Sequence, residues 1–111
     1  MKKAVLCVKD EIVRSPFLSP AEYVVEMTNY CSEKKIKPIG CIFVNDSTMP
    51  LFRVLIALEK KIKNFDYFII FSQEQMRLDS IQMLMLCNKV SDNFGADILV
   101  LHPRQNSRNS K

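Results

Sequence analysis

The sequence predicts a three-layer α/β domain with a mostly parallel four-stranded sheet. Short continuous apolar runs alternate with amphipathic stretches of helical period, and turn or cap residues separate them. Strands without polar alternation are typical of a sheet that is covered on both faces, and the helices between them form right-handed crossovers. We therefore expect the chain order β-α-β-α-β-α-β and the sheet order 2-1-3-4.

Four apolar runs, at residues 4–8, 39–44, 66–71 and 96–101, are the predicted strands. The second run stops at the turn residues 45–47. The first helix is predicted from Ser19, which with Pro20 and Glu22 forms the pattern of a capping box. A second helix is predicted from Pro50, and a third from Ser80 to Phe94, with Gly95 as its C-cap.

Composition favours one domain over residues 1–102, since 111 residues with 48% hydrophobic side chains build one ordinary core. Residues 103–111 hold three basic groups and no apolar side chain, which predicts a disordered basic tail. No run approaches 18 apolar residues, and the first apolar run is too short for a secretion signal. We expect a cytoplasmic protein without a membrane segment, and its net charge of +4 permits weak nucleic-acid contact.

The cysteines and glycines exclude several kinds of cofactor site. The four cysteines lie in apolar or periodic segments without a C-x-x-C pair, so we predict buried thiols in a reducing compartment and no metal site. The two glycines cannot build a glycine-rich phosphate loop. No cofactor is expected.

Ligands of an open parallel sheet bind beyond the carboxyl ends of its strands. In the predicted order the loops 9–18 and 72–79 are neighbours there. The candidate site residues from these loops are Lys9, Asp10, Arg14, Ser15, Glu74, Arg77 and Asp79. The alternative is that they are solvated loop residues.

Two ligand-binding families with such sheets do not fit these loops. Asp10 and Glu11 are similar to the acidic pair of phospho-receiver domains, but Phe71 and Ser72 stand where those need an aspartate acceptor. The same acidic pair would repel the phosphate of a flavin.

Several segments together resemble the catalytic domain of the serine recombinases, the resolvase and invertase family. They are the first strand and the helix with a cysteine at its end, then Phe43-Val44-Asn45-Asp46, Met49-Pro50-Leu51-Phe52, Asn64-Phe65-Asp66 and Arg77-Leu78. The resemblance covers most of residues 3–102, and it implies a resolvase-like sheet and phosphodiester transfer through a covalent serine-phosphate link. It also implies a long dimer helix and a DNA-binding domain downstream, which we do not expect within these 111 residues.

The working residues of that family are largely missing here. The R-V-S motif at the end of the first strand falls on Cys7-Val8-Lys9, so Lys9 stands in place of the nucleophilic serine. After the third strand, an ungapped D-R-L-x-R register puts Gln75 on the first arginine, and a register with two inserted residues keeps one arginine, Arg77. Serine chemistry needs a nucleophile and several cations around the phosphoryl oxygens. The sequence therefore predicts no catalytic residue of that kind, unless Ser15 substitutes.

The predicted third helix carries apolar residues on two sides. Met83, Leu86, Cys87, Val90 and Phe94 form a core stripe, while Leu78, Ile81 and Met85 form a second one. The second stripe predicts an interface with a second copy or another protein, and the alternative is a covering loop.

Two functional hypotheses follow from the sequence. The first is a non-catalytic, recombinase-like interaction or regulatory module, linked to recombination or a mobile element. The alternative is a small metal-dependent nuclease or phosphotransfer enzyme that uses Asp10, Glu74 and Asp79 at the carboxyl edge of the sheet.

Overall fold

The computed structural model describes residues 1–10, 19–45, 50–62 and 64–101. Four strands, β1 (Lys2–Lys9), β2 (Ile36–Val44), β3 (Tyr67–Ile70) and β4 (Asp97–Val100), alternate with helices. The helices are α1 (Pro20–Glu33), α2 (Leu51–Lys61), α3 (Gln73–Met76) and α4 (Ser80–Phe94). Arg14, Ser15, the turn residues Asp46 and Ser47, and the predicted tail 103–111 lie outside the described residues.

The sheet has the predicted order, β2-β1-β3-β4, and all three strand pairs are parallel. β1 is therefore central, and all six of its residues from Ala4 to Lys9 are buried. Its register with β2 shifts by one residue, because Ala4 pairs with Pro38 and Val5 with Gly40. Proline has no amide hydrogen for the ladder, which accounts for an irregularity at this point.

Two clusters of buried side chains cover the two faces of the sheet. On one face, α1 packs Tyr23, Met27 and Cys31 against β1 and β3, where the rings of Tyr23 and Phe71 meet edge to face at 4.5 Å. On the other face, α2 and α4 cover the sheet, and their buried residues are Leu51, Val54, Leu55, Leu58, Leu86, Val90 and Phe94. The predicted three-layer architecture is confirmed.

The helix caps explain where the long helices begin. Ser19 and Glu22 form the predicted capping box of α1, with the Ser19 N–H donating to Glu22 Oε1 at 2.8 Å. Asp79 and Gln82 form a second capping box at the start of α4, and Gly95 ends that helix in the left-handed conformation with φ of 65°. A glycine tolerates this conformation without steric cost.

Two predictions about the strands and cysteines were wrong. β2 is an edge strand that pairs only with β1, so it is largely exposed rather than buried on both faces. Cys41 on β2 is exposed and Cys87 is half-buried, so only Cys7 and Cys31 are buried thiols as predicted. Burial raises the pKa of the Cys7 thiol strongly, and the nearby Cys41 adds to that shift.

A third prediction, that residues 72–79 form a loop, was also wrong. This segment contains the one-turn helix α3, capped by Ser72, whose Oγ accepts from the Gln75 N–H at 2.9 Å. α4 is thus the fourth helix of the described residues. The helix α3 lies against the end of β1 and shapes the carboxyl edge of the sheet.

Candidate functional site

The carboxyl end of β1 is fastened to α3 by one side chain. The amide of Gln75 accepts from the Lys9 N–H through Oε1 at 3.3 Å and donates to the Lys9 carbonyl through Nε2 at 3.1 Å. Gln75 thereby supplies the two hydrogen bonds that a neighbouring strand would supply. It fixes the backbone of Lys9, a residue that is 4% exposed.

The segment after α3 is equally well defined. Gln73 Nε2 donates to the Leu78 carbonyl at 2.9 Å, and the Leu78 N–H donates back to the Gln73 carbonyl at 3.1 Å. Between them, Arg77 takes a left-handed conformation with φ of 55°. A left-handed arginine is uncommon, and the paired bonds on Gln73 and Leu78 hold the turn around it.

Lys9 and Arg77 meet at a cavity of about 260 Å³ at this edge of the sheet. The cavity lies between the ends of β1 and β2, the start of α2, the turn after α3 and the first turn of α4. Its described lining is Lys9, Val44, Pro50, Leu51, Phe52, Met76, Arg77, Leu78 and Gln82.

The charged side chains of the described cavity lining are both cations. The described lining contains no carboxylate. The start of α2 adds to the positive potential, because its N-cap Pro50 provides no side-chain hydrogen bond and its first turn holds no acidic residue. The same lining contains no hydroxyl or thiol, so among the described residues the cavity offers charge but no serine-like nucleophile.

The predicted site residues separate into four groups. Lys9 and Arg77 come together at the cavity. Asp10 is exposed beside it, with its N–H donating to the Val44 carbonyl at 2.7 Å, while Glu74 is exposed on α3. Asp79 caps α4, where its Oδ1 accepts from the Gln82 N–H at 2.7 Å. Arg14 and Ser15 lie outside the described residues.

No metal site is formed by the carboxylates of the described ranges. Within residues 1–10, 19–45, 50–62 and 64–101, no group of three or more His, Cys, Asp and Glu side chains is placed to hold a metal ion. Asp79, one of the three carboxylates of the nuclease hypothesis, is already engaged in its capping box.

Gln75, Ser72 and the start of α2 were not among the predicted site residues at this edge. The spacing of Ser72 and Gln75 is the S-x-x-Q pattern of a helix start, so a signal for α3 was present. The hydrogen bonds between Gln75 and Lys9 join residues that are 66 positions apart in the sequence, so no local sequence pattern predicts them.

Comparisons with known proteins agree with this architecture. No protein-family model matches the chain, and no curated protein matches it in sequence. Among solved structures, the chain is similar to the C-terminal catalytic domain of ISC1926 TnpA, an IS607-like serine recombinase. The two share a TM-score of 0.66 at 17% identity, over 93% of this chain and 72% of that one.

The chain has the fold of a serine recombinase catalytic domain. The sheet order 2-1-3-4 and the flanking helices belong to that fold, as the resemblance in the sequence implied. In the register of that resemblance, the position of the nucleophilic serine is Lys9, at the last residue of β1. The position of the first arginine, in the ungapped register, is Gln75.

A second surface of interest lies on the outer side of α4. Ile81, Leu84 and Met85 are 72%, 62% and 46% exposed, and their spacing places them on adjacent turns of one face. Leu84 extends the stripe that the sequence predicted from Ile81 and Met85. Leu78, the third predicted member, precedes the helix, is half-buried against the core and lines the cavity.

No helix among the described residues is long and apolar enough to cross a membrane.

Proposed function

We propose that this chain is a non-catalytic domain with the serine recombinase fold, and that it acts as an interaction or regulatory module linked to DNA recombination or a mobile element. The fold supports the link, because the similar solved structure is the catalytic domain of an IS607-like serine recombinase. The residue at the position of the family's nucleophilic serine, Lys9, supports the loss of the covalent activity.

The observation that carries the proposal is the position of Lys9. Its backbone is fixed by Gln75, and its side chain lines the cavity at the end of β1, where the resemblance requires a serine. An ammonium group in this position cannot form the serine-phosphate link of that family.

The exposed stripe of α4 supports the interaction role. Three large apolar side chains, Ile81, Leu84 and Met85, are mostly exposed on one helix of a small domain. Contiguous apolar surface of this kind marks protein contacts. A second copy of the chain is the proposed partner, since one helix face can meet its own copy across a two-fold axis.

The test of this role is the state of association after Ile81→Glu and Met85→Glu. The double variant should stay folded, because the first glutamate would lie in the first turn of α4 and the second four residues before Lys89. We expect it to be monomeric at concentrations where the unaltered protein is dimeric by light scattering, because two desolvated carboxylates would face the partner.

The matched control is Val25→Glu with Ile56→Glu, which alters two other exposed apolar residues on α1 and α2. The control should associate like the unaltered protein. An unaltered protein that is monomeric at high concentration would refute the α4 interface, and so would a control that dissociates equally. Unfolding of the Ile81/Met85 variant, seen by circular dichroism, would identify the stripe as internal packing.

A metal-dependent nuclease remains the alternative that the sequence left open. Among the described residues, no group of three or more His, Cys, Asp and Glu side chains is placed to hold a metal ion, and Asp79 serves as a helix cap. No observation on the described residues favours this alternative over the interaction role.

A further inference from the structure

The outer side of β2 presents backbone groups that no described strand pairs. β2 pairs with β1 on one side, and within the described ranges it is the last strand of the sheet. The Val44 carbonyl accepts from the Asp10 N–H at 2.7 Å, so the backbone groups of Val44 point toward β1. Successive residues of a strand direct these groups to opposite sides, so the N–H and carbonyl groups of Cys41 and Phe43 point outward.

The two halves of β2 differ in their protection against strand addition. The amino half carries the exposed Lys37 and Pro38, and its register with β1 shifts there. Charges, prolines and bulges are the features by which proteins blunt a sheet edge. Residues 40–44, here called the open edge, contain no charge and no proline. The opposite edge strand, β4, is four residues long and begins with Asp97, so the open edge is the less protected of the two.

The open edge also exposes apolar side chains. Ile42 and Val44 pack in the cluster that contains the buried residues of α2. Cys41 and Phe43 alternate with them and therefore lie on the opposite face of the sheet, the face of α1. α1 covers them incompletely, since Cys41 is exposed and Phe43 is 46% exposed. A strand added at this edge would place its own side chains beside Phe43 and bury it.

The two ends of the open edge differ in the sign of their charges. Beyond its amino end lie the exposed lysines of β1, of β2 and of the turn before β2, which are Lys2, Lys3, Lys35 and Lys37. Beyond its carboxyl end, Asp10 is exposed. A complementary strand is therefore acidic at the end that meets the lysines. In antiparallel pairing, which is slightly more stable than parallel pairing, that is the C-terminal end of the added strand.

A short acidic segment complements this edge better than a second copy of the chain does. In an antiparallel pair of open edges, each copy would bring one described carboxylate, Asp10, toward the lysines of the other. Asp66, whose Oδ2 accepts from the Lys3 N–H at 2.8 Å, lies on the β3 side of β1, away from the open edge. Sheet edges bind extended peptides through main-chain hydrogen bonds, and contacts of alternate side chains give specificity.

We propose that the open edge of β2 binds an extended segment of another protein as an added antiparallel strand. The segment places apolar or β-branched side chains beside Cys41 and Phe43, and it ends in acidic residues next to Lys37. This surface uses neither the cavity nor the stripe on α4, so the proposal goes beyond the proposed function and is tested separately.

The test measures binding of fluorescently labelled peptides to the unaltered protein by anisotropy at low ionic strength. The probe is acetyl-KTVTVTVEE-amide, whose β-branched residues favour a strand and whose glutamates would lie near Lys37. The control peptide, acetyl-EETVTVTVK-amide, has the same composition with its charged ends exchanged. We expect saturable binding of the probe and about tenfold weaker binding of the control, because its glutamates would face Asp10.

Two N-methylated forms of the probe test the backbone hydrogen bonds without altering the protein. One carries N-methyl groups on its valines and the other on its threonines, so only one of them blocks the amides that face β2. We expect that form to bind about tenfold more weakly or worse, and the other to keep most of the affinity.

Variants of the protein locate the binding surface. Phe43→Glu places a carboxylate in the open edge and should weaken probe binding about tenfold. Ile56→Glu, at another exposed apolar residue, on α2, is the matched control and should bind the probe like the unaltered protein. Lys37→Gln should weaken binding about threefold, whereas Lys89→Gln on α4 should not. Thermal unfolding is measured on the same samples.

Four results would overturn the proposal. They are no saturable binding of the probe at millimolar concentration, equal binding of the control peptide, equal losses with the two N-methylated probes, and unchanged affinity in a folded Phe43→Glu variant. If Phe43→Glu unfolds, the N-methylated probes on the unaltered protein decide. A dimer that Phe43→Glu dissociates in light scattering, without probe binding to the unaltered protein, would assign the open edge to a second copy instead.

Discussion

Lys9 is the only charged residue that is buried among the described residues. It is charged, it is 4% exposed and its backbone is held by the Gln75 amide. A lysine at this depth needs polar surroundings, because burial of an isolated ammonium group is costly. The sequence identified Lys9 through a motif position, but the contact with Gln75 spans the chain and depends on the complete fold.

We expect Gln75→Leu to destabilise the folded protein. The change leaves the part-buried N–H and carbonyl of Lys9 without this partner, so the free energy of unfolding in urea should fall by about 1–3 kcal/mol. Gln73→Leu is the control, because it removes one side-chain hydrogen bond, to the Leu78 carbonyl, and should cost less. Equal stability of Gln75→Leu and the unaltered protein would show that the two hydrogen bonds between Gln75 and the Lys9 backbone do not stabilise the fold.

Among the elements, those with a local signal could be predicted and those set by long-range pairing could not. The capping box of Ser19 and Glu22 predicted the start of α1, and the apolar run of β1 predicted the central strand. β2 is equally apolar in sequence, yet its place at the edge of the sheet leaves Cys41 and Phe43 exposed. Sheet position depends on the crossovers, which a single apolar run does not encode.

The capping box of α1 predicts a pH-dependent contribution to stability. The hydrogen bonds from Ser19 hold the pKa of Glu22 below its ordinary value of 4.5, so the ionised carboxylate stabilises the folded state at neutral pH. The pKa of Glu22 is 4.5 in the unfolded state and lower in the folded state. The stabilisation by Glu22 is therefore present above pH 4.5 and is lost as the pH falls through the pKa of the folded state. Glu22→Gln should therefore be less stable than the unaltered protein at pH 7 and equal to it in strong acid.

Two further variants check the cap itself. Ser19→Ala should lower the free energy of unfolding by about 1 kcal/mol at pH 7, because it removes the oxygen that accepts from the Glu22 N–H. Ser32→Ala, at an exposed position near the end of α1, should not destabilise, since alanine is the better helix former. A pH-independent difference between Glu22→Gln and the unaltered protein would contradict the role assigned to the carboxylate.

The whole molecule has two oppositely placed edges with different chemistry. The carboxyl edge holds the cavity of Lys9 and Arg77, and the amino edge holds lysines that follow α1, end α2 and begin β1. The sequence predicted the strand order and the layers, but it predicted a loop where α3 lies at the carboxyl edge. It did not predict that Lys3 and Lys37 are neighbours, because they meet only through the register of β1 and β2.

We propose that this domain keeps the serine recombinase fold without its covalent chemistry. The most direct measurement incubates the purified protein with supercoiled plasmid and looks for nicked DNA and for a protein-DNA adduct by denaturing gel and mass spectrometry. We expect neither product, because Lys9 stands at the end of β1 and the described cavity lining holds no hydroxyl. A covalent serine-DNA adduct, with Ser15 as the first residue to examine, would contradict it.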